Sequence, residues 1–410
     1  MKAVVFTLGC KVNGCESASL LRGLEERGYE VSDELVPADL YILNTCAVTA
    51  EAEKKSRQAV ARIRAAAPQA RIYVCGCAAE RMPSQFAGKE GVRLVTGTMH
   101  KGGIPELLDE EGVRISPAET CFEELPSPRF LQTRAYVKVQ DGCNNFCSYC
   151  IIPYLRGRSR SRSLESAAAE ILSCPAEEVV ITGIDVSSYR DGARDLADLL
   201  RAVKDAKARI RLGSLETHAV TERLLAAAKE VRDFAPHFHL SLQSGSDAVL
   251  RAMNRKYTRA EFLRKAALVR EAFPSAALTT DIIVGFPTET EEDFEATLAL
   301  AEEARFSQIH CFAYSRRAGT AAAKLKELAP QVKKERLGRL MALGRRLREE
   351  YEGAFLGKTL ELVPEEEKDG YTEGYSENYI RLYVRGSVKK RTRVRALEWY
   401  KDGLLCAPEE

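Results

Sequence analysis

Several things are missing from this chain, and each absence narrows what it can be. Net charge is nearly absent: 61 Lys and Arg face 59 Asp and Glu over 410 residues. No chain-wide field announces a polyanionic partner, so any nucleic-acid surface must be local. No apolar stretch approaches the ~18–20 residues of a membrane helix, so no membrane partner is expected. The start, MKAVVFTLGC, has too short an apolar part for a cleaved leader, and acidic and polar residues follow it. It reads as a first strand, and the chain is expected in the cytoplasm. Compositional bias is missing too: 45% hydrophobic and 29% charged residues suit a folded chain, and the length suits two or three domains.

Cysteine, by contrast, is plentiful, with 12 in the chain. In a large chain without a secretion signal the thiols stay reduced, so clustered cysteines point to metal or redox chemistry. Cys174, Cys311 and Cys406 stand apart and read as small buried hydrophobes.

Hydrophobic patterning divides the chain. AVVFTL, DLYILN and RIYV read as strands, separated by a helix around Leu20, Leu21 and Leu24 and another over 51–67. This is a parallel α/β domain over 1–115, flavodoxin- or Rossmann-like. A proline-bearing linker with Pro117, Pro126 and Pro128 occupies 116–130. Over 131–350 the candidate strands AYVKVQ, EVVITG, RIRLGS, HFHLSL, LTTDIIVG and QIHCFAY alternate with helical patterns. Six such units imply a partial parallel barrel with its reactive site at the carboxyl ends of the strands. A charged helix with a stripe of Leu337, Leu340, Met341, Leu347 and Tyr351 closes that region, and 351–410 reads as a small all-β module.

The sharpest motif is DGCNNFCSYC, which places Cys143, Cys147 and Cys150 in C-x3-C-x2-C spacing directly after the first barrel strand. A tight thiolate set holds one metal unit. Structural zinc wants four N or S ligands, and no histidine lies nearby to supply the fourth; zinc with a distant fourth ligand is the bland alternative. Three thiolates on a four-iron cluster instead leave one iron open. A second set comes from the first domain, where Cys10, Cys46 and Cys77 each follow a strand at its carboxyl end. Open parallel sheets place their ligands there. Cys15 and Cys75 are extra and are not assigned as ligands. Because strand side chains alternate, Cys75 is expected along the same side as Cys77.

The barrel triplet, with IIPYLRGRSRSR, TGIDVSSY, LGSLE, HLSLQSGSDAVLRAMNRKYTR and DIIVGFPTETEEDF, resembles the radical S-adenosylmethionine (SAM) superfamily and its methylthiotransferase branch. The order of GCKVN, NTC, CGC and the barrel triplet fits that branch, although Gly14 and Cys15 replace its usual polar–aromatic pair. The resemblance implies two [4Fe-4S] clusters. One sits on Cys143, Cys147 and Cys150, where its open iron chelates SAM; the other, auxiliary cluster on Cys10, Cys46 and Cys77 handles sulfur. It also places Gly183 and Asp185 near the SAM amino group, and Glu216 and Gln243 as ribose or carboxylate partners. The alternative for these four is helix capping or backbone satisfaction.

Arg156, Arg158, Arg160 and Arg162 crowd the stretch beyond the barrel triplet, where they read either as a solvated face or as phosphate contacts. The last module offers Arg385, Lys389, Lys390, Arg391, Arg393 and Arg395 with Tyr371, Tyr375, Tyr379 and Tyr383, a composition suited to RNA. GKTLELV and GYSENYIRLYV resemble the TRAM module. GCKVN and PYLRGRSRSR look most like the branch acting on tRNA, and the expected substrate is N6-threonylcarbamoyladenosine beside the anticodon. The implied reaction is methylthiolation at C2, with an electron donor such as flavodoxin or ferredoxin and the immediate sulfur donor left open. The alternatives are sister enzymes for isopentenyladenosine in tRNA or for a ribosomal-protein aspartate, and a non-enzymatic iron–sulfur RNA-binding protein.

Overall fold

A computed structural model describes residues 1–125 and 133–409, so Pro126 and Pro128 of the expected linker lie outside the described residues. The first unit is a six-stranded parallel sheet: β1 (Lys2–Thr7), β2 (Glu30–Ser32), β3 (Leu40–Thr45), β4 (Arg71–Gly76), β5 (Val92–Thr96) and β6 (Gly112–Arg114). They run in the order β2-β1-β3-β4-β5-β6. Helices α1 (Lys11–Glu25), α2 (Ala50–Ala66) and the short α3 (Cys77–Arg81) follow β1, β3 and β4. The near-continuous apolar strands Leu40–Thr45 and Ile72–Cys75 are buried because helices cover both faces of a parallel sheet. Leu20, Leu24 and Ile104 pack one face; Val60, Ile63 and Ala78 pack the other.

The second unit is the expected partial barrel. Its six parallel strands are β7 (Arg134–Asp141), β9 (Glu178–Gly183), β12 (Arg209–Leu212), β13 (His237–His239), β14 (Ala277–Val284) and β15 (Gln308–Ala313). Two-residue strands add an edge to β7 (β8, Arg160–Ser161) and a small hairpin (β10, Arg190–Asp191, with β11, Arg194–Asp195). Helices α4 (Ile152–Arg156), α5 (Leu164–Ser173), α6 (Leu196–Ala202), α7 (Glu222–Glu230), α8 (Asp247–Ala252), α9 (Arg259–Ala272), α10 (Glu291–Ala304) and α11 (Pro330–Gly353) complete it. Alternation sorts the side chains. Val137, Val139, Val179, Ile181, Ile210 and Phe238 join the core beneath the helices, so Tyr136, Lys138, Arg211, His239 and Asp281 face the lumen.

The α11 stripe holds with one correction. Leu340 and Leu347 are buried, but Met341 is 53% exposed beside the uncovered edge of β15.

The third unit is a closed five-stranded barrel, β16 (Thr359–Lys368), β17 (Tyr371–Tyr375), β18 (Arg381–Arg385), β20 (Gly403–Pro408) and β19 (Thr392–Tyr400) in spatial order. It seats on the amino-terminal end of the larger barrel. Arg211 donates to the Ser376 carbonyl at 3.0 Å, Arg134 pairs with Glu365 at 2.6 Å, and Tyr379 stacks on His237 with ring centroids 4.5 Å apart.

Candidate metal centres

The loop triplet hangs from the carboxyl end of β7. The loop is pinned from below: Ser148 donates its backbone N–H to the Met253 carbonyl at 3.0 Å, and the Asn254 amide donates to the Asn145 and Phe146 carbonyls. Asn145 N–H points at Cys143 Sγ (3.4 Å), and the Arg255 guanidinium points at Cys147 Sγ (3.3 Å). Burial, with repulsion from the neighbouring groups, pushes the Cys143 and Cys150 thiols up to about 12. Three thiols so placed ionise together with metal binding rather than before it.

The other triplet is assembled from three strand ends. Gly9 stands at φ +116, and a Cβ there would lie 2.7 Å from Cys46 Cβ; Gly76 stands at φ +95, and a Cβ there would lie 2.5 Å from the Thr45 carbonyl. Glycine before each of Cys10 and Cys77 therefore lets the three chain segments close on one another. Asn13 locks the arrangement, donating to the Leu8 and Thr45 carbonyls at 2.8 and 3.0 Å. Cys46 and Cys77 are buried and Cys10 is exposed. Burial raises Cys46 to about 11 and raises Cys77 as well, the latter partly offset by the Arg156 guanidinium.

The two triplets lie at one interface. Cys77, Ala78 and Ala79 share a core with Ile151 and Leu155 from the segment just beyond Cys150, and Cys77 is among the charges that act on Cys150. Neither set is drawn tight enough for one zinc. A tetrahedral zinc holds thiolates about 3.8 Å apart, whereas among the described residues the only group with three ligand atoms within 4.8 Å of one another is His239, Asp281 and His310. Wider thiolate spacing is what a multi-iron cluster demands.

A buried ionic network fixes that interface. Glu16 of α1 accepts from Lys138 (2.9 Å) and Arg156 (2.8 Å) and pairs with Lys101; Asp141 at the end of β7 meets Lys138, Arg156 and Arg160. Burial alone would raise the Glu16 carboxyl, yet Arg156, Lys101 and Lys138 hold it well below the usual carboxylate range.

The expectations for four arginines are therefore corrected. Arg156 is 0% exposed and Arg160 is buried, and both are spent on internal partners, so neither reaches a phosphate. Arg162 is mostly buried against Glu124 and Glu170, and Arg391 is tied to Asp233 and Glu361. Arg158, Lys389, Lys390 and Arg393 are exposed, and so are Arg385, Arg395 and Lys401. The tyrosine reading is corrected as well. Tyr383 is core, and Tyr375 and Tyr379 stack on each other where the two barrels meet, because their rings cover the buried guanidiniums of Arg134 and Arg211.

Of the four candidate SAM contacts, Asp185 is the most informative. Its Oδ2 accepts from Asn145 (3.1 Å) and Ser188 (2.6 Å), while Oδ1 is buried with no partner. An unmatched carboxylate oxygen beside Cys143 is the acceptor a cationic amino group needs. Glu216 is paired with Arg255, and burial raises its carboxyl in spite of that arginine. Gln243 sits at φ +67 and bridges to Ile282 within β14, and Gly183 closes β9 against Gln140. The sequence reading passed over Arg255 and Tyr257, although NRKYTR was in view; only folding shows that they bridge Cys147, Glu216 and the Ser241 carbonyl. Cys75 does not side with Cys77: it packs with Leu94 and Ile104 on the opposite face of the sheet, and Cys15 Sγ donates to the Tyr136 carbonyl at 3.2 Å.

The sequence pattern of the radical SAM superfamily matches residues 137–301, and that of the uncharacterized protein family UPF0004 matches residues 2–97. The chain is 39% identical over 386 residues to the threonylcarbamoyladenosine tRNA methylthiotransferase MtaB of Bacillus subtilis, covering 89% of this chain and 85% of that one. To its namesake in Chlamydia pneumoniae it is 42% identical over 366 residues, covering 87% and 85%. To the tRNA-2-methylthio-N(6)-dimethylallyladenosine synthase of Alkaliphilus oremlandii it is 37% identical over 386 residues, covering 89% and 82%. Among solved structures, the radical SAM methyltransferase TsrM from Kitasatospora setae shares the fold at a TM-score of 0.57 and 16% identity, over 79% of this chain and 77% of that one.

Proposed function

This chain belongs to the radical-SAM tRNA methylthiotransferase family, and from that premise we propose that it places a methylthio group at C2 of N6-threonylcarbamoyladenosine beside the tRNA anticodon. Membership of the radical SAM superfamily brings a [4Fe-4S] cluster and SAM with it. We assign Cys143, Cys147 and Cys150 to that cluster, and Cys10, Cys46 and Cys77 to a second, auxiliary one. The observation that carries the reading is the pair of cysteine triplets brought to a shared interface by the network around Glu16.

When bound, the two clusters and SAM supply what side chains lack: a radical able to take hydrogen from an unactivated ring carbon, and a source of sulfur and methyl. The rest falls to this chain. Asp185 Oδ1, buried without a partner, would receive the SAM amino group. Arg255 orients Glu216 and places positive charge beside Cys147, and Arg156 does the same beside Cys77. Apolar Ile151 and Leu155 keep water from the space between the triplets.

Domain limits after 115, 130 and 350 remain our proposal, as does reduction by a flavodoxin or ferredoxin. For RNA contact we propose Arg158, Lys389, Lys390 and Arg393, with Arg385, Arg395 and Lys401 extending the basic surface. Among the described residues no helix is long and apolar enough to cross a membrane.

The test is nucleoside mass spectrometry of tRNA from a strain lacking the gene. The methylthio group on threonylcarbamoyladenosine should disappear; its persistence refutes the assignment. Loss from dimethylallyladenosine instead would favour the reading carried by relatives with that name.

A further inference from the structure

One cation next to the auxiliary triplet has no structural duty. Lys11 opens α1 directly after Cys10, is exposed, and makes no hydrogen bond or ion pair among the described residues. Its Nζ lies 5.9 Å from the centroid of the Tyr136 ring, which faces the lumen of the larger barrel. The charges that act on it are those of the lumen: Arg134 and Arg211 repel it, Glu178 and Asp281 attract it, and it acts in turn on His237 and His310. Lys11 therefore reaches from the first domain toward the lumen-facing side chains of the larger barrel.

Among the described residues neither lumen carboxylate forms an ion pair with it. Glu178 is held by Arg134 at 2.7 Å and by Arg211 at 2.7 and 2.8 Å. Asp281 lies 3.4 Å from His239 Nε2, an atom without a hydrogen-bond partner. The wall formed by His239, Asp281 and His310 is polar throughout, which is poor lining for an apolar substituent. An exposed ammonium without an ion-pair partner, beside the polar lumen side chains, calls for an anion from outside.

We propose that Lys11 is the specificity-determining residue that receives the carboxylate of the N6-threonylcarbamoyl substituent. The inference rests on the nucleoside assigned above and adds how it is chosen. The threonylcarbamoyl group carries a carboxylate; a dimethylallyl group carries no polar atom and would leave Lys11 stripped of water and unmatched. Discrimination then comes as much from the unpaired ammonium as from the bond gained.

The test uses the full chain, reconstituted anaerobically, with anticodon stem–loop RNA of three kinds: threonylcarbamoyladenosine, the same with its carboxylate converted to a carboxamide, and dimethylallyladenosine. Lys11→Met keeps side-chain length and removes the charge. KM for the acid RNA should rise about 50-fold in Lys11→Met, with the paramagnetic resonance signals of both clusters retained. Lys11→Arg should recover most of that loss. The wild type should treat the carboxamide RNA as Lys11→Met treats the acid, and Lys11→Met should no longer tell acid from amide. Turnover of the acid RNA by the wild type, with equal KM in Lys11→Met, overturns this inference alone. A wild type that modifies only the dimethylallyl RNA overturns the nucleoside reading and this inference with it.

Discussion

Cys143, Cys147 and Cys150 come from one eight-residue loop (143–150), whereas Cys10, Cys46 and Cys77 arrive from three strand ends joined only through the sheet. The loop set is positioned by its own backbone and by two anchors at the end of α8. The other set depends on two glycines with positive φ, on Asn13, and on the register of β1, β3 and β4. Yet each set acquires the same electrostatic partner, a buried arginine: Arg255 beside Cys147 and Arg156 beside Cys77. Three thiolates on a four-iron cluster carry surplus negative charge, and in an interior of low polarity a guanidinium is the counterion that cannot lose its proton. A local loop therefore tolerates drift elsewhere in the fold, while an assembled site inherits every weakness of the sheet that builds it.

The comparison breaks most sharply at the cysteines themselves. Cys147→Ala should abolish 5′-deoxyadenosine formation, by at least about 10³-fold, and lower bound iron from about eight to about four per chain. Iron analysis and anaerobic SAM cleavage check both, and retained cleavage would remove Cys147 from the site. Cys46→Ala should do the reverse, leaving SAM cleavage within a few-fold of wild type while no methylthiolated nucleoside forms. If product forms normally, Cys46 is not a ligand.

Arg156 sharpens the contrast in another way. Arg156→Met leaves Glu16 and Asp141 short of a buried partner and should cost about 3–5 kcal/mol by denaturant unfolding. Arg158→Ala, on an exposed residue stacked over Phe146, should change stability by less than about 0.5 kcal/mol while weakening RNA binding. Equal effects of the two on RNA affinity at unchanged stability would restore Arg156 as a phosphate contact.

Gly76→Ala is the subtlest probe. At φ +95 with the Thr45 carbonyl in the way, it should destabilise the first domain by about 2–3 kcal/mol. Iron should be lost from the assembled site before the loop site, read as product formation falling well ahead of SAM cleavage. Parallel loss of the two activities would mean that the glycine does not act through the triplet.

Much of this was legible in the linear chain. The barrel strands were visible as short apolar runs at regular spacing, and C-x3-C-x2-C as a motif whose geometry is local. Cys10, Cys46 and Cys77 could be grouped because all three leave parallel strands at the same end. Arg156 was misread because a charge run looks the same whether it faces water or not; its partner Glu16 lies 140 residues away in sequence. Tyr375 and Tyr379 failed for the same reason, since the arginines they cover belong to another barrel. Arg255 and Tyr257 carried no spacing signal at all and meet the loop triplet only where α8 ends beside it.

By itself the amino-acid order determined the elements, their succession and the two candidate cysteine triplets, because hydrophobic period, glycine placement and short spacings act within a few residues. Only the tertiary structure decided which arginines are buried against carboxylates, which tyrosines are core, and that Lys11 makes no ion pair among the described residues. Those properties depend on burial and on the nearest opposite charge, and both are set by residues that meet only once the three units have packed together.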